Sequence, residues 1–141
     1  MPFCHFEVRV AKPKSDRYPK KLNTLGDHLR ARRTDLRLFQ SAVAELIGVH
    51  ELTITNWENN ATEPEVQYIP AIIQFLGYDP SATETPLPFP ERLAAARRAR
   101  GLTQKQLARK FSVDPTTIRD WENGLHEPSR KKSELIVAFL R

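Results

Sequence analysis

LTQKQLARKFSVDPTTIRDWENGLHEP, residues 102–128, holds the pattern that decides the fold. Thr103 stands as an N-cap ahead of QKQLARKF, in which Leu107, Ala108 and Phe111 share one helical face. Ser112-Val113 predicts a tight turn. Asp114 then caps a helix whose first residue is Pro115, where a missing N–H costs least; that helix buries Ile118 and Trp121 before Asn123-Gly124 ends it. Two short helices separated by three or four residues form a helix-turn-helix. Upstream, Pro90 and Glu91 suit a first helical turn, and ERLAAARRAR places Leu93, Ala96 and Arg100 at helical spacing until Gly101. Downstream of Pro128, RKKSELIVAFLR predicts a fourth helix with Leu135, Ile136, Phe139 and Leu140 inward.

The same pattern occurs earlier in the chain. A shift of 64 residues without gaps lays Leu29–Pro64 on Leu93–Pro128, with 14 of 36 positions identical. The matches include Leu29/Leu93, Arg33/Arg97, Leu38/Leu102, Gln40/Gln104, Ala44/Ala108 and Val49/Val113. The densest block is Trp57-Glu58-Asn59 against Trp121-Glu122-Asn123, followed by Glu63-Pro64 against Glu127-Pro128. Ile72, Phe75 and Leu76 fall opposite Ile136, Phe139 and Leu140. The chain is therefore a duplicated helical unit, and the repeat sets the architecture before any single helix does. The expected organisation is a first unit at 25–78, a Pro-rich linker at 79–88 and a second unit at 89–141. Residues 1–24 read as a basic, poorly ordered arm, with the alternation of Phe6, Val8 and Val10 leaving a short strand as the alternative.

Composition excludes much else. At 141 residues and 40% hydrophobic, the chain is too apolar for wholesale disorder, yet apolar runs such as Ile69 to Ile73 are far short of a membrane span. The start, MPFCHFEVRVAKPK, lacks a long apolar core, so a cytoplasmic address and no membrane partner are expected. A single cysteine, Cys4, beside His5 makes neither a disulfide framework nor a tetrahedral metal site. His28, His50 and His126 are scattered. No Gly-rich phosphate loop, carboxylate pair, Ser/His/Asp set or HExxH helix is present, so no enzyme, cofactor or metal is expected. The net charge of +5 is unevenly spread: +4 over residues 1–24, −3 over 25–76, −2 over 77–88 and +6 over 89–141. A basic balance favours an anionic partner, and here it points to the second unit.

The stretch 102–128 resembles the helix-turn-helix of the phage repressor and Cro type, the XRE family. Ala108 matches the small residue where the two helices cross, and Val113 and Ile118 match core positions. LFQSAVAELIGVHELTITNWENNATEP, residues 38–64, resembles the same motif with Ala44, Val49 and Ile54. The resemblance covers about 100 of the 141 residues. It implies an all-α fold of two tandem lambda-repressor-like bundles, and a transcriptional regulator that binds double-stranded DNA. A short helix fits the major groove, where every base pair shows a distinct donor and acceptor pattern. The implied base-facing positions are Pro115, Thr116 and Asp120; Thr117 and Arg119 lie on the same helix, and Arg119 reaches a base or a phosphate. Gln104, with Lys105 beside it, matches the phosphate-contacting start of the second helix, and Asn123, Arg130 and Lys131 match the opposite backbone flank. Asp120 has two readings, accepting from cytosine N4 or pairing with Arg119 or a nearby Lys.

The first copy departs from the pattern. Phe39 replaces the capping Thr103, and Glu51 and Leu52 occupy the base-facing start of its recognition helix. Gln40, Thr55 and Asn56 are its remaining DNA-binding candidates, since Asn pairs well with adenine. The expectation is that the second copy binds DNA while the first has drifted toward a scaffold, with a homodimer or a protein partner held through it left open. The rival reading is a protein-interaction module, an antitoxin or adaptor, using the same helical units. Trp57 and Trp121 read as core residues, not base-stacking ones, and Arg33/Arg97 with Glu58/Glu122 as recurring ion pairs between the first and third helices of each unit. The run Arg97-Arg98-Ala99-Arg100 reads as a solvated helix face, while Lys131-Lys132 has the better claim to phosphate.

Overall fold

The structure, a computed structural model, describes residues 18–141. Most of the expected basic arm, together with Cys4 and His5, lies outside the described residues. The described fold is all-α. Helices α1 (Leu25–Asp35), α2 (Gln40–Ile47), α3 (Glu51–Glu58) and α4 (Ile69–Leu76) form the first unit, with a 3-10 turn at Val66–Tyr68 leading into α4. Helices α5 (Phe89–Ala99), α6 (Gln104–Phe111), α7 (Pro115–Glu122) and α8 (Arg130–Leu140) form the second. Among the described residues, no helix is long and apolar enough to cross a membrane.

Local signals account for the helix ends. Thr103 accepts from the Gln106 N–H while the Gln106 side chain accepts from the Thr103 N–H, a closed capping box at the start of α6. Thr24 and Asp27 build the same device on α1. Burial raises the Asp27 pKa, but bonds from the Asn60 side chain and the Asn23 and Thr24 backbones outweigh it and hold the carboxyl below the usual range.

Each unit encloses its own apolar core. Leu29, Val43, Ile54 and Ile72 are fully buried in the first, and Leu93, Leu107, Ile118 and Ile136 in the second. Removing such side chains from water contributes about 2 kcal/mol each. Trp57 and Trp121 are buried core residues, as expected. In the second core Phe111 and Phe139 meet edge to face with centroids 5.5 Å apart. Gly26 is required by packing, because a Cβ there would lie 1.9 Å from the Trp57 carbonyl oxygen at the end of α3. One core assignment needs correction. Leu135 is half exposed, because the side of α8 that faces the core carries Ile136, Phe139 and Leu140.

The units also touch. α4 packs on α5, and the segment Ser81–Leu87 lines an open hollow together with Ala95, Ala96 and Ala99. At the tightest point Gly101 sits in the left-handed region (φ +67°), where a Cβ would meet Pro70 Cγ at 2.9 Å and the Val66 carbonyl oxygen at 3.2 Å. Gly48 shares the left-handed backbone (φ +84°) but has open space around it. Alanine at Gly48 is expected to cost about 1 kcal/mol from backbone strain alone. Gly101→Ala is expected to cost clearly more, the difference in urea unfolding measuring the seam; equal losses would show that the α4–α5 contact contributes nothing.

Candidate nucleic-acid interface

The helix-turn-helix of each unit is held by one buried carboxylate. In the second unit Arg97 Nε and Nη2 donate to the two oxygens of Glu122 at 2.6 and 3.1 Å, while Nη1 donates to the Leu102 carbonyl at 2.8 Å. Gln104 Nε2 donates to Glu122 Oε2 at 2.8 Å. The first unit repeats this with Arg33, Glu58, the Leu38 carbonyl and Gln40 at 2.6, 2.8, 3.1 and 2.8 Å. Both expected ion pairs are therefore present. The glutamate side chains are only 2% and 6% exposed, so the carboxylates rely on these donors rather than on water.

Gln104, expected at a phosphate, thus has one amide hydrogen directed to Glu122, leaving the second for an outside acceptor. Gln40 is more fully engaged. Its Oε1 also accepts from Thr55 Oγ1 at 2.9 Å, so two of the first unit's three DNA-binding candidates bind each other. Asn56 is half-buried, and its carbonyl closes the turn after α3 by accepting from the Ala61 N–H.

On α7 the residues expected to face bases are largely at the surface. Pro115, Thr116 and Arg119 are exposed, while Thr117 and Asp120 are half-buried. Asp114 caps the helix, accepting from the Thr116 N–H at 2.9 Å and the Thr116 hydroxyl at 2.6 Å. The Thr116 hydroxyl, then its N–H, hold the Asp114 carboxyl below the usual aspartate range. The cap is therefore complete above that range and is lost as pH falls through the folded value. Arg119 Nη2 lies 3.3 Å from Asp120 Oδ1, so the ion pair is the arrangement Asp120 adopts. An exposed pair of this kind is weak, and Arg119 can exchange it for a base or phosphate at little cost.

Lys105 is exposed on the first turn of α6; Asn123 is exposed at the end of α7, as are Arg130 and Lys131 at the start of α8. Lys132 behaves differently from its neighbour, because its ammonium donates to the Phe111 carbonyl and closes the end of α6.

The corresponding face of the first unit has another chemistry. Phe39 occupies the N-cap of α2 without a side-chain bond and is 81% exposed. His50 Nδ1 caps α3 by accepting from the Leu52 N–H. Leu36, Phe39, Leu46 and Leu52 are all exposed, at positions where the second copy has Arg100, Thr103, Lys110 and Thr116. Residues 40–59 carry Glu45, Glu51 and Glu58 and neither Lys nor Arg. Leu36 and Leu46 drew no notice in the sequence, although the aligned copies already showed each opposite a cation.

A family model described as helix-turn-helix matches residues 29–82 and, separately, 93–141. The chain belongs to this helix-turn-helix family, of the XRE type. It is 34% identical over 56 residues to repressor protein C2 of Salmonella phage P22, a stretch covering 40% of this chain and 26% of that protein. The chain thus matches about a quarter of the length of this relative. No solved structure matches it. The two family matches correspond to the two expected tandem copies.

The capping difference between the copies is measurable. Thr103→Ala is expected to lower stability by about 1 kcal/mol, and Phe39→Ser to raise it by about 0.5–1 kcal/mol by supplying the missing acceptor. Thermal unfolding of the two variants checks both signs.

Proposed function

We propose that the chain is a transcriptional regulator whose second unit binds double-stranded DNA sequence-specifically, with α7 in the major groove, while its first unit serves as a protein-contact and scaffold unit. One contrast carries this reading. The two units share the same Arg–Glu–Gln scaffold but differ in surface chemistry, basic and polar on the second and apolar and acidic on the first. The phage repressor relative supports the DNA-binding part.

In this reading Thr116 and Arg119 read base edges, and Pro115 starts the helix without a stray N–H. Gln104, Lys105, Asn123, Arg130 and Lys131 fix the register on phosphate. The acidic first unit repels phosphate, which leaves Gln40, Thr55 and Asn56 as scaffold. The alternative, a module that grips only a protein, predicts binding that is insensitive to salt.

Full-length protein carrying Thr116→Ala and Arg119→Ala is expected to lose about 1–3 kcal/mol of discrimination between its selected site and a scrambled duplex for each base contact removed. Lys131→Ala should instead weaken both duplexes alike and reduce the slope of log affinity against log salt by about one. Fluorescence anisotropy over a salt series reads both effects. Discrimination unchanged in the double variant would remove α7 as the reading helix, and a flat salt response would favour the protein-only module.

A further inference from the structure

Beside the α4–α5 contact lies a cavity of about 310 Å³ lined by residues of both units. That volume is at the lower end of the range for small-molecule sites. Leu25, Ile69 and Ile73 give it apolar walls from the first unit. Three polar groups on its lining have bonding capacity left over. Arg98 of α5 is exposed, and its guanidinium has no hydrogen bond or ion pair among the described residues. Asp79 uses Oδ1 to accept from both the N–H and the hydroxyl of Ser81, at 2.9 and 2.6 Å, which leaves Oδ2 open. His28 meets the Tyr78 hydroxyl through Nδ1 at 2.7 Å, which leaves Nε2.

A guanidinium, a carboxylate oxygen and an imidazole nitrogen around a branched aliphatic wall match a ligand with a carboxylate, an ammonium and an apolar body. We propose that this cavity is a binding site for a small apolar amino acid. Its carboxylate pairs with Arg98, whose planar fork suits carboxylate geometry. Its ammonium donates to Asp79 Oδ2, and its side chain covers Leu25, Ile69 and Ile73. The position aligned with Arg98 in the first copy is Thr34, so the cation is particular to α5, the helix that brings it to this cavity. Because the pair to Arg98 would bridge α5 and the first unit, occupancy would also tighten the seam beside Gly101.

The proposal concerns a different surface from α7, so its test is independent of DNA binding. Titration calorimetry of the full chain with L-leucine and L-phenylalanine is expected to give saturable one-to-one binding by at least one of them, with a dissociation constant below about 1 mM. The amide of the same amino acid, which lacks the carboxylate, should bind at least tenfold more weakly. Arg98→Met should cause a comparable loss with an unchanged melting temperature, since Arg98 is an exposed residue with no partner to lose. Arg109→Met, at an exposed residue away from the cavity, should bind as the parent does. Hydrogen exchange at the amides of residues 99–102 should slow on ligand addition. No saturable heat from either amino acid overturns the proposal, as does equal binding by the amide or by the Arg98→Met protein.

Discussion

The constraint on which each unit depends is a single buried carboxylate with three demands on it. Glu122 at the end of α7 must be neutralised by Arg97 from α5, and Arg97 also binds the Leu102 carbonyl at the entry to α6. Gln104, the first residue of α6, completes the carboxylate's partners. Three helices therefore converge on one charge. An ion pair removed from water contributes little net stability, because desolvation offsets the attraction, yet losing one partner is costly. Its role here is geometric: α7 cannot rotate against α5 and α6 without stranding a charge. Among the described residues no buried side-chain nitrogen or oxygen lacks a partner, so the arrangement is fully satisfied as it stands.

Because orientation is held from inside, the outside is free to change. The first unit retains Arg33, Glu58, Gln40 and the turn carbonyl at Leu38, and its helices keep the same arrangement. Its surface carries Leu36, Phe39, Leu46 and Leu52 where the second unit has cations and hydroxyls. A uniform loss of DNA contact would not require apolar replacements, since neutral polar residues would serve as well. The exposed aliphatic and aromatic side chains on this face are the observation behind the protein contact proposed for the first unit.

Most of the fold was legible in the sequence because its signals are local or repeated. Caps at Thr103 and Asp114, Gly101 as a helix stop and the two tryptophans all follow from spacing, and the internal duplication checked the tryptophans against each other. The ion pairs were legible for the same reason, since both partners recur together. What escaped needed three-dimensional information. The terminal helix offers apolar residues around much of its circumference, so Leu135 and Ile136 compete for the core until the neighbouring helices are placed. Lys132 and Lys131 are chemically alike, and only the distance to the open carbonyl at Phe111 separates them. Gln104 carries both donors and an acceptor, and nothing in its local sequence says that Glu122 takes the first hydrogen. The contact between units is harder still, because Pro70 and Gly101 lie 31 positions apart in different copies and follow no period.

That contact also limits how the chain can be extended. In helical solenoids one seam recurs, so units stack without end until a cap intervenes. Here the seam positions of the 3-10 turn and α4, namely Val66, Ile69, Pro70 and Ile73, correspond to Arg130, Ser133, Glu134 and Val137 of α8. Gly101, which receives Pro70, and Ala99 before it correspond to Arg37 and Asp35 at the end of α1. A further unit stacked in the same way would press its small residues on charge at one end, or its proline on Asp35 and Arg37 at the other. The seam is thus chemically particular to this pair of units.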